Sequence, residues 1–293
     1  MHDDTYTESD IESFSAIADI LSRLCHHALT YVSVSPTSGL GDLGNSLIRL
    51  MYRGAIVRAD GISQCIATGS GEQASLLHRP LIESMFQLKY LVSDTQAIGD
   101  KVMAYRYCFF KEQEKLLREA SEGKALASVL SLTDKARFGS MLTEINDQLR
   151  RDEFSEIASE YSKRKKAKKP RKSLHWYSMY DGPENLRDLS THIGLEYVYI
   201  LYKIGSSAIH AGDGINGVTS LSDGSPITKP IRWAEKLPYL CKTACMALHS
   251  AVETYLGAVS PNTVQEYRAW YEQNMPELLN DSLADKISIT IHP

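Results

Sequence analysis

Apolar positions recur at spacings of three and four along most of the chain, the pattern of one buried stripe on an α-helix. Ile11, Phe14, Ile17, Ala18, Leu21, Leu24 and Cys25 form the first stripe. Ser9 with Glu12 reads as a capping box, so a helix is predicted over about 9–31. A loop with Pro36, Gly39, Gly41 and Gly44 leads to a helical pattern over about 45–68. Ser70 with Gln73 opens the next, over about 71–93, and Pro80 inside it is expected to kink or split the helix. Further helices are predicted over about 96–121, 124–136 and 138–162. Pro183-Glu184 starts another that runs to about 209 and is closed by Gly212 and Gly214. A glycine- and serine-rich loop over about 211–228 precedes helices over about 230–257 and 261–279. Lys286 to Ile291 alternates like a short strand, which cannot form a sheet alone. The expected fold class is all-α: a multi-helix bundle in a single helical domain over 1–293, its core at about 9–279 and a tail at 281–293.

Composition agrees with a packed core. The 293 residues are 43% hydrophobic and 23% charged, far from the composition of a disordered chain. No stretch approaches the ~18 apolar residues a membrane span needs. The start Met1-His2-Asp3-Asp4 is acidic where a signal peptide is basic and then apolar, so a cytoplasmic location without membrane contact is expected. Cys25, Cys65, Cys108, Cys241 and Cys245 are odd in number and scattered, which fits reduced, mostly buried thiols.

The net charge of −4 conceals an asymmetry. Lys163, Arg164, Lys165, Lys166, Lys168, Lys169, Arg171 and Lys172 crowd into ten residues that hold no acid. The rest of the chain carries 24 basic against 36 acidic residues. Such a block repels itself, and Pro170 blocks helix continuation, so 163–172 is expected to be an exposed, mobile connector. It reads either as an arm contacting nucleic-acid phosphates or as a solvated loop without a partner. His175, Trp176, Tyr177 and Tyr180 follow it, aromatic groups that either stack on bases or anchor the loop.

Two helices carry unusual polar faces. Near 184–209, Val198, Leu201, Ile204, Ala208 and Ile209 share one side, expected to face inward. His192, Tyr199, Tyr202, Ser206 and His210 share the other, with Glu196 and Lys203 beside them. Near 76–92, Leu77, Leu81, Met85 and Leu88 are expected inside, with Arg79, Glu83, Phe86 and Tyr90 opposite. Arg79 and Glu83 are four apart and pair along the helix, as a structural ion pair or as a guanidinium aimed at phosphate or carboxylate. His210 reads as a general base or acid, or as a histidine capping a helix C-terminus ahead of Gly212. Cys241, Cys245 and His249 share a stripe that Leu237, Val252 and Leu256 continue, so a core seam is expected there rather than a zinc site. Gly39 to Gly44 matches G-x-G-x-x-G, but the βα units of a dinucleotide fold do not follow, and a loop is expected. No metal and no cofactor is called for.

Leu77-His78-Arg79-Pro80-Leu81-Ile82-Glu83, followed by Leu88, Tyr90 and Leu91, resembles the Arg-x-x-x-Glu helix of a widespread bacterial domain-of-unknown-function family. Trp176, Gly194 and the Tyr-x-x-x-Ser-x-x-x-His run of Tyr202, Ser206 and His210, with Tyr199 ahead of it, resemble that family's second signature. The similarity spans roughly 45–255, most of the chain. More distantly the chain resembles HEPN-type helical proteins, many of them metal-independent ribonucleases of toxin–antitoxin and phage-defence systems. Those carry an Arg-x4-6-His motif on one helix, usually completed across a dimer. Here Lys203 stands seven residues before His210 and no arginine occupies the motif position, so Arg79 from the other helix would supply the cation.

The resemblance implies an RNA-directed effector. His210 would take the 2′-OH proton, Arg79 and Lys203 would stabilise phosphate charge, and Glu83 would orient Arg79. Tyr202 and Ser206, with Tyr199 and Trp176, would contact substrate, and the 163–172 run would hold RNA. Expected partners are RNA, a second copy in a homodimer, and a protein encoded nearby. The alternative is a non-enzymatic helical module whose polar faces bind a ligand or partner.

Overall fold

The computed structural model describes residues 6–36, 41–122, 131–167, 174–207, 218–220, 226–228 and 236–279. The chain is all-α. In order, the described helices are α1 Glu8–Thr30, α2 Gly41–Ala67, α3 Gly71–Val92, α4 Ile98–Glu122, α5 Leu132–Leu149, α6 Ser155–Ala167, α7 Leu186–His192, α8 Glu196–Ser207, α9 Leu237–Val259, α10 Thr263–Asn274 and α11 Pro276–Leu279. The expected Gly/Ser-rich loop contains a small antiparallel hairpin, β1 (Val218–Ser220) with β2 (Pro226–Thr228), in which Thr219 pairs with Ile227. The strand-like tail at 286–291 lies outside the described residues.

Two compact units make up the chain, Met1–Ser93 with Ile193–Pro293, and Asp94–His192. In the first, α9 packs on α1, α2 and α3, and α3 also packs on α2 and α8. Helix α9 suits a central position because Cys241, Ala244, Cys245, Leu248, Ala251, Val252 and Tyr255 bury its flanks almost completely. Small side chains among these let neighbouring backbones approach closely. Three polar groups that enter this core are bonded to backbone carbonyls. Tyr52 donates its hydroxyl to the Ala28 carbonyl at 2.7 Å, and its ring stacks on Tyr255 at 4.1 Å. Ser63 donates to the Ala18 carbonyl at 2.8 Å and Cys241 Sγ to that of Ile17 at 3.3 Å.

In the second unit, α4 packs on α5, α6 and a 3-10 turn at Trp176–Ser178. Phe154 is buried there with Tyr107 and Phe110 at ring distances of 5.7 and 5.9 Å, and the Arg106 guanidinium lies 5.1 Å over its ring.

Several boundaries differ from expectation, each for a local reason. Helix α1 is capped by Thr7 with Asp10, reciprocally bonded, rather than by Ser9 with Glu12. Helix α2 starts at Gly41, so Asp42, Leu43 and Gly44 are helical and not loop. Pro80 neither splits nor ends α3. Its missing N–H deprives the Leu76 carbonyl of a helical donor, and Leu76 stands at the surface, where water can bond that carbonyl. The helices expected over 124–136 and 138–162 are replaced by α5, a 3-10 turn at Asp152–Phe154, and α6. A Ser131–Asp134 capping box sets the start of α5. The helix expected over 184–209 is two helices. Gly194 between them takes φ +70°, a left-handed conformation that halts α7 before α8 begins. The last expected helix likewise breaks at Met275 into α10 and α11.

Candidate functional site

Helices α3 and α8 pack against each other, and this brings two predicted site residues together. On α3, Arg79 Nε donates to Glu83 Oε1 at 3.1 Å, one helical turn away. The same guanidinium lies over α8, its central carbon 4.6 Å from the centre of the Tyr202 ring. Tyr202 in turn stacks on Tyr199 at 5.4 Å. Tyr202 is 8% exposed, whereas the Arg79 and Glu83 side chains keep 27% and 33% of their surface open. The acid thus holds one edge of the guanidinium and the phenol ring holds its face. Among the described residues the two terminal nitrogens of Arg79 carry no bond, which leaves the fork that matches an anion's oxygens unused.

Val198, Leu81, Met85 and Leu88 are buried as periodicity assigns them, whereas Tyr202, Phe86 and Tyr90, assigned to the opposite sides, are buried as well. On α8 the packed side carries Val198 and Tyr202, with Leu195 buried just ahead of the helix, while Tyr197 and Ile200 are 63% and 61% exposed. On α3, Phe86 and Tyr90 are buried together with Leu81, Met85 and Leu88, because α2, α8 and α9 all pack on that helix.

Other predicted site residues are placed as follows. Lys203 is exposed, next to Tyr202 in the chain. Ser206 lies in α8, but its side chain is outside the described set, and His210 lies outside the described residues altogether. Trp176 belongs to the 94–192 unit, where it is 8% exposed and meets Tyr105 edge-on at 5.6 Å. His192 ends α7 in that same unit.

The basic run begins on a helix instead of in a loop: Lys163, Arg164, Lys165 and Lys166 form the end of α6. Cations there suit the negative end of the helix dipole. Arg164 is engaged within the protein, bonded to Glu160 and Asp181, and these acids hold its guanidinium above its ordinary pKa against the opposing effect of burial. Lys163, Lys165 and Lys166 are exposed. Lys168, Lys169, Arg171 and Lys172 lie outside the described residues.

Cys241 and Cys245 are buried in the α9 core, and His249 turns to Tyr267, its Nδ1 2.8 Å from the hydroxyl, while stacking on Tyr271 at 4.0 Å. Among the described residues no group of three His, Cys, Asp or Glu side chains is arranged to hold a metal ion. No described helix is long and apolar enough to cross a membrane.

Sequence reasoning passed over His78, the neighbour of Arg79. It is 1% exposed, its Nε2 is buried with no hydrogen-bond partner among the described residues, and burial pushes its pKa down to about 4. The available signal was its position four residues before Ile82, on the core stripe of α3. A second cluster also went unread: His27 stacks on Trp270 at 3.5 Å and its Nε2 lies 2.9 Å from the Tyr31 hydroxyl. Its members come from α1, the turn just after it and α10, far apart in sequence, so no local pattern announced it.

No curated protein and no solved structure matches the chain. A model for a family of unknown function, DUF5677, matches residues 45–226. That span contains Arg79, Glu83 and Tyr202, the three side chains that meet between α3 and α8. The chain belongs to the DUF5677 family of unknown function.

Proposed function

We propose that this chain is an HEPN-like, RNA-directed effector that cleaves RNA without a metal, as toxins and phage-defence nucleases do. The observation that carries the reading is the pre-set guanidinium of Arg79, gripped by Glu83 and by the face of Tyr202 with its terminal nitrogens open. A planar fork fixed in this way meets a phosphodiester with little rotamer entropy left to lose.

The 2′ oxygen of RNA attacks the adjacent phosphorus as His210 takes the hydroxyl proton. The bond from phosphorus to the 5′ oxygen breaks, and that oxygen leaves with a proton from water. The products are a 2′,3′-cyclic phosphate and a 5′-hydroxyl end. Arg79 and Lys203 carry the charge that builds on the phosphate oxygens, and Glu83 is a positioning residue. Tyr199, Tyr202 and Ser206 contact the substrate, and the exposed lysines of the basic run attract the RNA backbone.

The test is incubation of the full chain with labelled single-stranded RNA, and DNA of the same sequence, in the presence of EDTA. RNA should be cut to cyclic-phosphate ends and DNA left whole. Arg79→Ala and His210→Ala should abolish cutting while keeping the helical circular-dichroism spectrum. Intact RNA with the parent protein overturns the nuclease. Binding without cutting would favour a non-catalytic binding module, the reading favoured by the burial of Tyr202 in the α3–α8 packing.

A further inference from the structure

The outer side of α2 carries Leu43, Leu50 and Val57, exposed by 54%, 63% and 58%. They stand seven residues apart, and at about 100° per residue they fall within an arc of about 40°. Aliphatic side chains repeated by heptads on a helix surface form the seam of a helix pair. Arg53 and Asp60, also exposed and seven apart, flank this stripe on one and the same edge. Neither has an ion-pair partner among the described residues. Two opposite charges without partners beside an open apolar stripe make a surface complementary to itself.

The geometry points to a second copy of this chain as the occupant: we propose that α2 is a homodimer seam in which the two helices run antiparallel. In a parallel pair, one edge of a helix faces the other edge of its neighbour. In an antiparallel pair, like edges meet. Because Arg53 and Asp60 share an edge, only the antiparallel arrangement sets opposite signs together, Arg53 of each copy against the partner's Asp60. That register places the two-fold axis beside Val57, which meets its own copy. It also lays Leu50 over the aliphatic stem of the partner's Gln64. The inference is independent of the RNA chemistry and concerns a surface that includes none of the residues assigned to it.

Sedimentation velocity on the full chain tests it. The parent protein should sediment as a dimer. Arg53→Asp alone and Asp60→Arg alone should each weaken self-association tenfold or more, because each sets like charges together twice by symmetry. Mixed with one another, these two variants should form a heterodimer, since both cross-pairs are then complementary. Leu50→Ser should weaken the dimer irrespective of charge. All three positions are exposed, so the variants should keep the parent's circular-dichroism spectrum as monomers. A parent protein that stays monomeric at every concentration overturns the proposal. So does a dimer indifferent to both charge reversals, or a failure of the two variants to pair.

Discussion

The guanidinium carbon of Arg79 lies over the Tyr202 ring, 4.6 Å from its centre, and the contact fastens α3 to α8. A nearly buried aromatic under a partly open cation couples packing to charge. The ring's burial stabilises the helix pair, and its face fixes where the cation stands.

Tyr202→Ala should therefore cost about 3–5 kcal/mol, the usual cost of emptying an aromatic site. Tyr202→Phe keeps the ring face and should cost about 1 kcal/mol or less. Urea denaturation of the two variants beside the parent protein measures the difference. Equal losses would mean that the hydroxyl, and not the ring, holds the helices.

His78 should make the protein acid-sensitive. Burial depresses its pKa to about 4, so the native state stays unprotonated while the unfolded chain takes up a proton below its ordinary value of 6.5. This destabilisation is absent above that value and grows as pH falls toward 4, reaching about 3 kcal/mol. Stability curves for the parent and His78→Met at pH 7 and pH 5 should diverge, the variant losing less. Parallel curves would show that His78 is already charged in the fold.

Thiol reactivity should be graded. Burial pushes Cys25 and Cys108 up to about 12 and Cys245 well above its ordinary value, and Cys241 is fully buried. Cys65 is only half-buried, and its pKa is raised by burial alone. An aromatic disulfide reagent at pH 8 should titrate Cys65 first in the folded protein and all five thiols after unfolding. Rapid reaction of several thiols in the folded state would contradict the packed α1–α9 core.

Arg23 should anchor the helices that follow α9. Its Nη1 donates to the Asn274 carbonyl at 2.9 Å and its Nη2 to Glu277 Oε1 at 3.0 Å. Arg23→Met should cost about 1.5–3 kcal/mol, the usual worth of hydrogen bonds to a charged group. Amide exchange in α10 and α11 should rise more than in α9. Uniform exchange across all three helices would refute a local anchor.

Much of this fold was legible as spacing. The stripes of α1, α3 and α9 announced themselves because each helix buries a continuous apolar face, and the pairing of Arg79 with Glu83 follows from four residues of separation alone. Breaks were harder to read. Gly194 and the turn at Asp152–Phe154 interrupt segments whose apolar pattern continues on both sides, and periodicity does not sense a single left-handed residue. The facing of α8 was harder still. Tyrosine is at home on either side of a helix, and whether Tyr202 looks to water or to α3 depends on what lies opposite.

The sequence by itself determined the class of the fold, its helices and the residues able to carry charge, because those follow from short-range spacing and side-chain chemistry. Only tertiary structure decided that Tyr202 seats Arg79, that His78 is enclosed without a partner among the described residues and that Trp270 covers His27. Such contacts join residues remote along the chain, and their energy depends on which helix faces come to rest against each other.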